Sequence, residues 1–186
     1  MAMKVTEILE EEHRVIQSMA ASLAMVGEDL EKGKTVPTNT LRILSQFLDI
    51  FVMRCHHRKE EAYLFTVLQT KRVPTTGCPL AVLHDEHAKV QTLVSQFADS
   101  VEQYAATSGE ARASLGKTIH GLLALLPGHI WKEDYLLLPM ADKLLSPQEQ
   151  ESLVSQFEQV ESELGPGIHH GFERLAEDLE EVVRRQ

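Results

Sequence analysis

His56-His57-Arg58-Lys59-Glu60-Glu61 and its later echo, His129-Ile130-Trp131-Lys132-Glu133-Asp134, decide how this chain folds. Each offers an imidazole and, four residues on, a carboxylate. Residues four apart on a helix stack one turn above another, roughly 6 Å along the axis, so each stretch presents both groups on one face. A second pair of stretches repeats in step with the first: Leu9-x-x-Glu12-His13-x-x-Ile16 returns as Leu83-x-x-Glu86-His87-x-x-Val90. The offsets agree, 129 − 56 = 73 and 87 − 13 = 74.

Outward from these motifs, apolar residues recur with a helical period. Leu9, His13, Ile16, Ala20, Leu23, Gly27 and Leu30 form one seam, ending near Lys32-Gly33. After Pro37 come Leu44, Leu48, Val52, His56, Glu60 and Leu64, running to about Lys71 before Pro74-Thr75-Thr76-Gly77 breaks the pattern. The third seam is Leu80, Leu83, His87, Val90, Val94, Phe97 and Val101. The fourth follows Ser108-Gly109 as Leu115, Ile119, Leu122, Leu126, His129, Glu133, Leu136 and Met140. Four histidines thus hold positions that are otherwise apolar. Pro127 removes a backbone donor and crowds the preceding turn, which predicts a kink or bulge immediately before His129.

Ser146-Pro147-Gln148-Glu149 reads as a capped helix start, opening a shorter helix with Leu153, Phe157, Val160 and Leu164. Gly165-Pro166-Gly167 then turns into a last amphipathic stretch with Phe172, Leu175, Leu179 and Val182. There is no β pattern, and the first four segments are joined by short connections. The expected fold is all-α: an antiparallel up-down-up-down four-helix bundle over 1–145 with a short C-terminal helical extension, 146–186, packed on it.

The 186 residues suit one domain, long enough to bury a sizeable core. A formal charge of −10 with no clustered Lys/Arg face argues against nucleic acid and anionic lipid as partners. No charged-then-apolar leader opens the sequence and no apolar run approaches the ~20 residues of a membrane helix, which predicts a cytoplasmic protein. Cys55 and Cys78 make neither a disulfide framework nor a Cys-x-x-Cys pair; Cys55 reads as a small core residue and Cys78 lies in a turn.

A single buried histidine is ordinarily a hydrogen-bonded core residue. Six polar groups on four apolar seams would each cost roughly 1–3 kcal/mol if unsatisfied, so a shared metal is the simpler account. His13, His56, Glu60, His87, His129 and Glu133 supply four nitrogens and two carboxylates. That set suits two non-haem irons about 3.5–4 Å apart with both carboxylates bridging. Structural zinc favours four tetrahedral ligands, often with Cys. A ferritin-like site needs Glu-x-x-His on two helices, which Glu10-x-x-His13 supplies once and His84 fails to repeat.

The order His, His-x-x-x-Glu, His, His-x-x-x-Glu, flanked by Lys-Glu-Glu-x-Tyr-Leu-Phe and Lys-Glu-Asp-x-Leu-Leu-Leu-Pro, resembles the hemerythrin-like, or HHE cation-binding, family. The resemblance implies a four-helix bundle holding two non-haem irons (Fe2+/Fe3+), oxo- or hydroxo-bridged. The implied ligand is dioxygen or a related small molecule, nitric oxide or peroxide, in oxygen or iron sensing, storage or stress response. A di-iron oxidoreductase of peroxidase or nitric oxide reductase type is the alternative, and the chain is expected to be a monomer or homodimer.

Three assignments stay open within that family. His57 with Glu61 is a second candidate pair beside His56 with Glu60, which the internal repeat favours. Asp134, five after His129, stands where oxygen-carrying hemerythrins use an Asp and competes with Glu133. Those carriers also place a fifth histidine on the third helix, and His84, three before His87, is its nearest equivalent here. His120 falls off its seam, and His169-His170 form either an exposed helix start or a cover over the site mouth.

Overall fold

A computed structural model describes residues 4–74, 79–106 and 110–184. The described residues form six helices: α1 (Val5–Glu31), α2 (38–70), α3 (Pro79–Ala106), α4 (110–144), α5 (Pro147–Leu164) and α6 (Ile168–Arg184). The expected breaks at Thr75-Thr76-Gly77 and Ser108-Gly109, the Cys78 thiol and the side chains of Leu179 and Val182 lie outside the described residues.

α2 and α4 keep helical backbone throughout, but the hydrogen bonding widens to the π pattern over Phe47–His57, Glu60–Leu64 and Glu133–Leu137. Such a turn accommodates an extra residue, and π turns concentrate at functional sites. The last two segments keep the offset of the motifs themselves, and each begins on the motif's glutamate. The bulge expected immediately before His129 therefore falls after it, while Pro127 lies inside the α-helical stretch Glu110–Lys132. A proline deletes a donor without adding a residue; the π turn adds the residue and shifts the phase. Leu137 and Ala141 are consequently buried where the sequence pattern named Leu136 and Met140, and Leu136 is 43% exposed.

The apolar seams divide into two clusters. Ile16, Met19, Leu23, Phe51, Val94, Phe97 and Leu122 belong to one, and Val5, Leu9, Leu64, Phe65, Leu83 and Leu137 to the other. His13, His56, His87 and His129 fall between them along all four helices, so apolar packing closes the histidine layer above and below. Each fully buried Leu or Phe contributes about 1.5–3 kcal/mol. A Cβ at Gly121 would meet Leu93 Cδ2 at 2.9 Å, so glycine there permits the close approach of α4 to α3.

Ser146 and Glu149 form the expected reciprocal cap of α5: Ser146 N donates to Glu149 Oε2 at 2.9 Å, and Glu149 N to Ser146 Oγ at 3.3 Å. Gly165 (φ 114°) and Gly167 (φ 77°) then turn the chain in a region that favours glycine. α6 returns along α1 and α2, where Ser18 Oγ donates to the Ala176 carbonyl at 3.2 Å and Phe172 meets the edge of Phe47 at 5.7 Å. No helix among the described residues is long and apolar enough to cross a membrane.

Candidate metal centre

Seven buried side chains from four helices converge in the histidine layer. His13 of α1 and His56 of α2 face Glu60 and Glu133 in one group, while His57 of α2, His87 of α3 and His129 of α4 form a second. Within each group the candidate ligand atoms lie within 4.8 Å of one another. Both carboxylates touch both groups. Glu60 Oε2 is 3.6 Å from His56 Nε2 and 3.4 Å from His87 Nε2. Glu133 Oε2 is 3.1 Å from His13 Nε2, and its Oε1 is 3.2 Å from His129 Nε2. The internal repeat reappears in the ring geometry: His13–His56 and His87–His129 both have centroids 4.8 Å apart, at 71° and 67°.

Both members of the His56-His57 doublet turn inward, at 1% and 3% exposure. On a regular α-helix neighbouring residues diverge by about 100°. The π segment Phe47–His57 ends on this doublet, and its wider turn leaves both imidazoles on the inner side. His57 stacks on His87 with centroids 3.8 Å apart. The structure thus brings in both histidines that the sequence offered as alternatives, and the layer holds five imidazoles.

Carboxylates orient four of them from behind. His13 Nδ1 lies 2.5 Å from Asp134 Oδ1, His56 Nδ1 2.9 Å from Glu12 Oε2, His87 Nδ1 2.7 Å from Glu61 Oε1, and His129 Nδ1 3.1 Å from Glu86 Oε2. A proton on each Nδ1 satisfies these contacts and leaves Nε2 as a lone-pair donor toward the centre, the tautomer that metal ligation requires. Asp134 and Glu61 therefore stand outside the two groups, holding rings rather than facing the centre. The repeated Lys completes the pattern. Lys59 Nζ bonds Glu12 and Glu161, and Lys132 Nζ bonds Glu86 at 2.8 Å and the Gly128 carbonyl at 2.9 Å.

The electrostatics call for positive charge. Burial opposes a charged His13, but Asp134 and Glu133 outweigh it and raise the imidazole to about 10. His87 is likewise raised to about 11, burial being overcome by Glu133, Glu60 and Glu61. His57, buried beside other imidazoles and with no carboxylate behind it, is pushed well below its usual range. Protons on His13 and His87 stand where a cation is favoured, and metal binding would displace them.

The unpaired atoms test the fit. Among the described residues ten buried side-chain nitrogen and oxygen atoms lack a hydrogen-bond partner. Nine belong to this layer: Nε2 of His13, His56, His87 and His129, Nδ1 of His57, and both oxygens of Glu60 and Glu133. Their mutual contacts of 3.1–3.6 Å lack hydrogen-bond alignment. At about 1–3 kcal/mol each, nine orphans would rival the ~5–15 kcal/mol net stability of a domain. Metal cations held between these groups would satisfy such atoms, since imidazole nitrogens and carboxylate oxygens are suitable donors.

His84 is exposed and lies outside both groups, on the wall of a cleft. His120 is exposed, as its off-seam position predicts, and His170 is 69% exposed on its side chain. His169 is buried, against expectation for a helix start, with Nδ1 3.5 Å from Cys55 Sγ and its ring 5.1 Å from Phe51. It packs behind His56, beside Glu12, rather than over a mouth. Burial raises the Cys55 thiol to about 12, with Glu12 adding to the effect.

Among the described residues, clefts open to the layer from two sides. One, of about 940 Å³ between α2 and α3, is lined by His57, Glu61, His84 and His87 over an apolar floor that includes Met53, Phe65 and Val94. The other, of about 520 Å³ between α1 and α4, is lined by Glu10, His13, Asp134, Trp131 and Tyr135. They are repeat equivalents: His84 answers Glu10, His87 answers His13, and Glu61 answers Asp134.

A helical protein with His/carboxylate groups built to hold metal cations is the class these features define. A family model for the hemerythrin HHE cation-binding domain matches residues 4–141, and the chain belongs to that family. Neither the curated proteins nor the solved structures contain a match.

Proposed function

We propose that the chain holds two non-haem irons and binds dioxygen or a related small ligand, nitric oxide or peroxide, in sensing, storage or stress response. The observation that carries this reading is the nine-atom orphan set shared by two facing groups. Five imidazoles and two carboxylates exceed what a single tetrahedral zinc uses and suit an iron pair. We also infer that α1–α4 form the up-down-up-down antiparallel bundle over 1–145, with 146–186 as its extension; the short connections and the inward face on each of the four helices support this.

When bound, the iron pair would supply reversible electron transfer and coordination of a small ligand. His13, His56, His57, His87 and His129 would hold the ions, and Glu60 and Glu133 would bridge them. The surrounding residues do the rest. Asp134, Glu12, Glu61 and Glu86 fix the Nδ1 protons, and the apolar clusters exclude water along the helix axis. The unequal numbers of imidazoles, two against three, favour small-ligand binding in the group of His13 and His56. A di-iron oxidoreductase is the second reading, favoured by the wide α2–α3 cleft. A cleft of about 940 Å³ far exceeds a diatomic molecule and admits solvent protons that end reversible oxygen binding.

The test is an optical spectrum of iron-loaded protein, recorded in air, after reduction, and after renewed air exposure. Visible absorption that bleaches on reduction and returns with air supports the binding reading. Return without a stable oxygenated species, with oxygen consumed, moves the assignment to the oxidoreductase. Colourless protein that takes up only zinc overturns both.

A further inference from the structure

The two clefts share a repeat relation but have diverged in one respect that the proposed function does not use. Positions 58 and 62, on the α2–α3 cleft, are Arg and Ala; their equivalents on the α1–α4 cleft, 131 and 135, are Trp and Tyr. Trp131 is the only tryptophan in the chain, and aromatic residues make up just 5% of it. This scarce aromatic surface is exposed: Trp131 is 54% accessible and Tyr135 65%. The two rings stack with centroids 5.6 Å apart and planes at 28°.

Three consecutive residues connect that stack to the centre. Glu133 faces both groups, Asp134 holds His13 Nδ1 at 2.5 Å, and Tyr135 stands at the surface. The chain thus runs directly from a carboxylate shared by both groups to an exposed phenol, in the same cleft that His13 lines. Trp and Tyr are the aromatic side chains most readily oxidised by one electron. Contact between the rings lets an oxidising equivalent pass from one to the other.

We propose that Trp131 and Tyr135 form the site at which oxidising equivalents, produced when a peroxide reacts at the dimetal centre, reach the surface and are quenched by small one-electron donors. The inference rests on the iron reading above. Reduction of one peroxide to two waters withdraws two electrons from the dimetal centre and takes up two protons, and in each of two following events the aromatic pair gives one electron back to it. The Tyr135 phenol releases its proton to water. A hydrogen-atom donor of the ascorbate class returns one electron and one proton and leaves as its radical. The site is therefore where reducing substrates are oxidised, separate from the α2–α3 cleft.

The experiment treats iron-loaded protein with a few equivalents of hydrogen peroxide, with and without ascorbate, and maps oxidised residues by mass spectrometry. Oxygen addition at Trp131 or cross-linking at Tyr135 is expected without ascorbate and suppressed with it. Zinc-loaded protein treated identically should stay unmarked. Trp131→Phe with Tyr135→Phe should keep the iron content, lower the rate of peroxide-driven ascorbate oxidation at least tenfold, and move the damage to the ligand histidines. Equal marking of Trp131 in the zinc-loaded protein, or damage at Tyr63 and Tyr104 matching that at Tyr135, overturns the proposal whether or not the double variant folds. Iron content and peroxide consumption separate the two levels. A protein that binds no iron or leaves peroxide intact defeats the iron reading and this site with it, whereas rapid consumption with the pair unmarked defeats the site alone.

Discussion

The half of the centre built on His13 and His56 and the half built on His87 and His129 have the same skeleton and different surroundings. Ring spacing, the carboxylate behind each Nδ1 and the Lys behind Glu12 or Glu86 all repeat. The differences lie one step outward. His57 faces the second half, where its repeat equivalent on the first is the aliphatic Ile130. Lys59 is fully buried against Glu161 and the Phe157 ring of α5, whereas the Lys132 side chain is 29% exposed. In the proposed di-iron reading the repeated frame would hold the two ions, and these departures from it would set their surroundings apart.

The largest expected effect falls on a carboxylate shared by both halves. Glu133→Ala removes the carboxylate that touches His13 and His129 together, so metal content should fall from about two ions per chain to below one. Elemental analysis of purified protein checks this, and retention of both ions would show that the halves load independently. Next comes the pair of lysines. Lys59→Met takes the ammonium from the buried Glu12 carboxylate, which His56 and Lys59 hold down at about 2 against the upward push of burial. Breaking such a buried pair costs about 3–5 kcal/mol, whereas Lys132→Met at its more exposed position should cost under about 1 kcal/mol. Denaturant unfolding of the two variants measures the difference directly, and equal losses would mean that the extension does not seal the first half.

A smaller effect concerns the extension itself. The Glu149 carboxyl is lowered to about 2 by Lys71, the Ser146 backbone and the Ser146 hydroxyl, against an ordinary value of 4.5. Its contribution to stability is therefore present above about pH 4.5 and is lost as pH falls toward 2. Wild type should melt higher than Glu149→Gln at pH 6, and the two should converge by about pH 2. A constant gap across that range would assign the effect to packing rather than charge. Smallest of all is the Cys55 response. With its thiol raised to about 12, Cys55 should alkylate far more slowly at pH 8 in native than in denatured protein, as peptide mapping of that residue would show.

Much of this architecture was written in the sequence because helices repeat every 3.6 residues and the motif repeats once. The seams through His13, His56, His87 and His129 needed nothing more than that arithmetic. The π turns were not legible, since no side chain announces a widened turn, and each adds a residue that a fixed period miscounts. For this reason the doublet at His56-His57 reads in the sequence as a choice rather than a pair, and a fixed period puts Leu136 where Leu137 sits. Glu12, Lys59, Glu61 and their equivalents were visible as repeated flanking letters, but their task depends on which ring nitrogen faces outward. His169 packs behind Glu12 only through the Gly165–Gly167 turn, which a pattern search cannot aim.

Mössbauer spectroscopy of fully oxidised protein loaded with 57Fe tests the central claim most directly. Two imidazoles against three should give about two irons per chain in two distinct environments of equal area, and His57→Ala should draw the two environments together or empty the second half. One iron per chain, or a single environment unchanged by His57→Ala, would contradict an unequal di-iron centre built on a repeated frame.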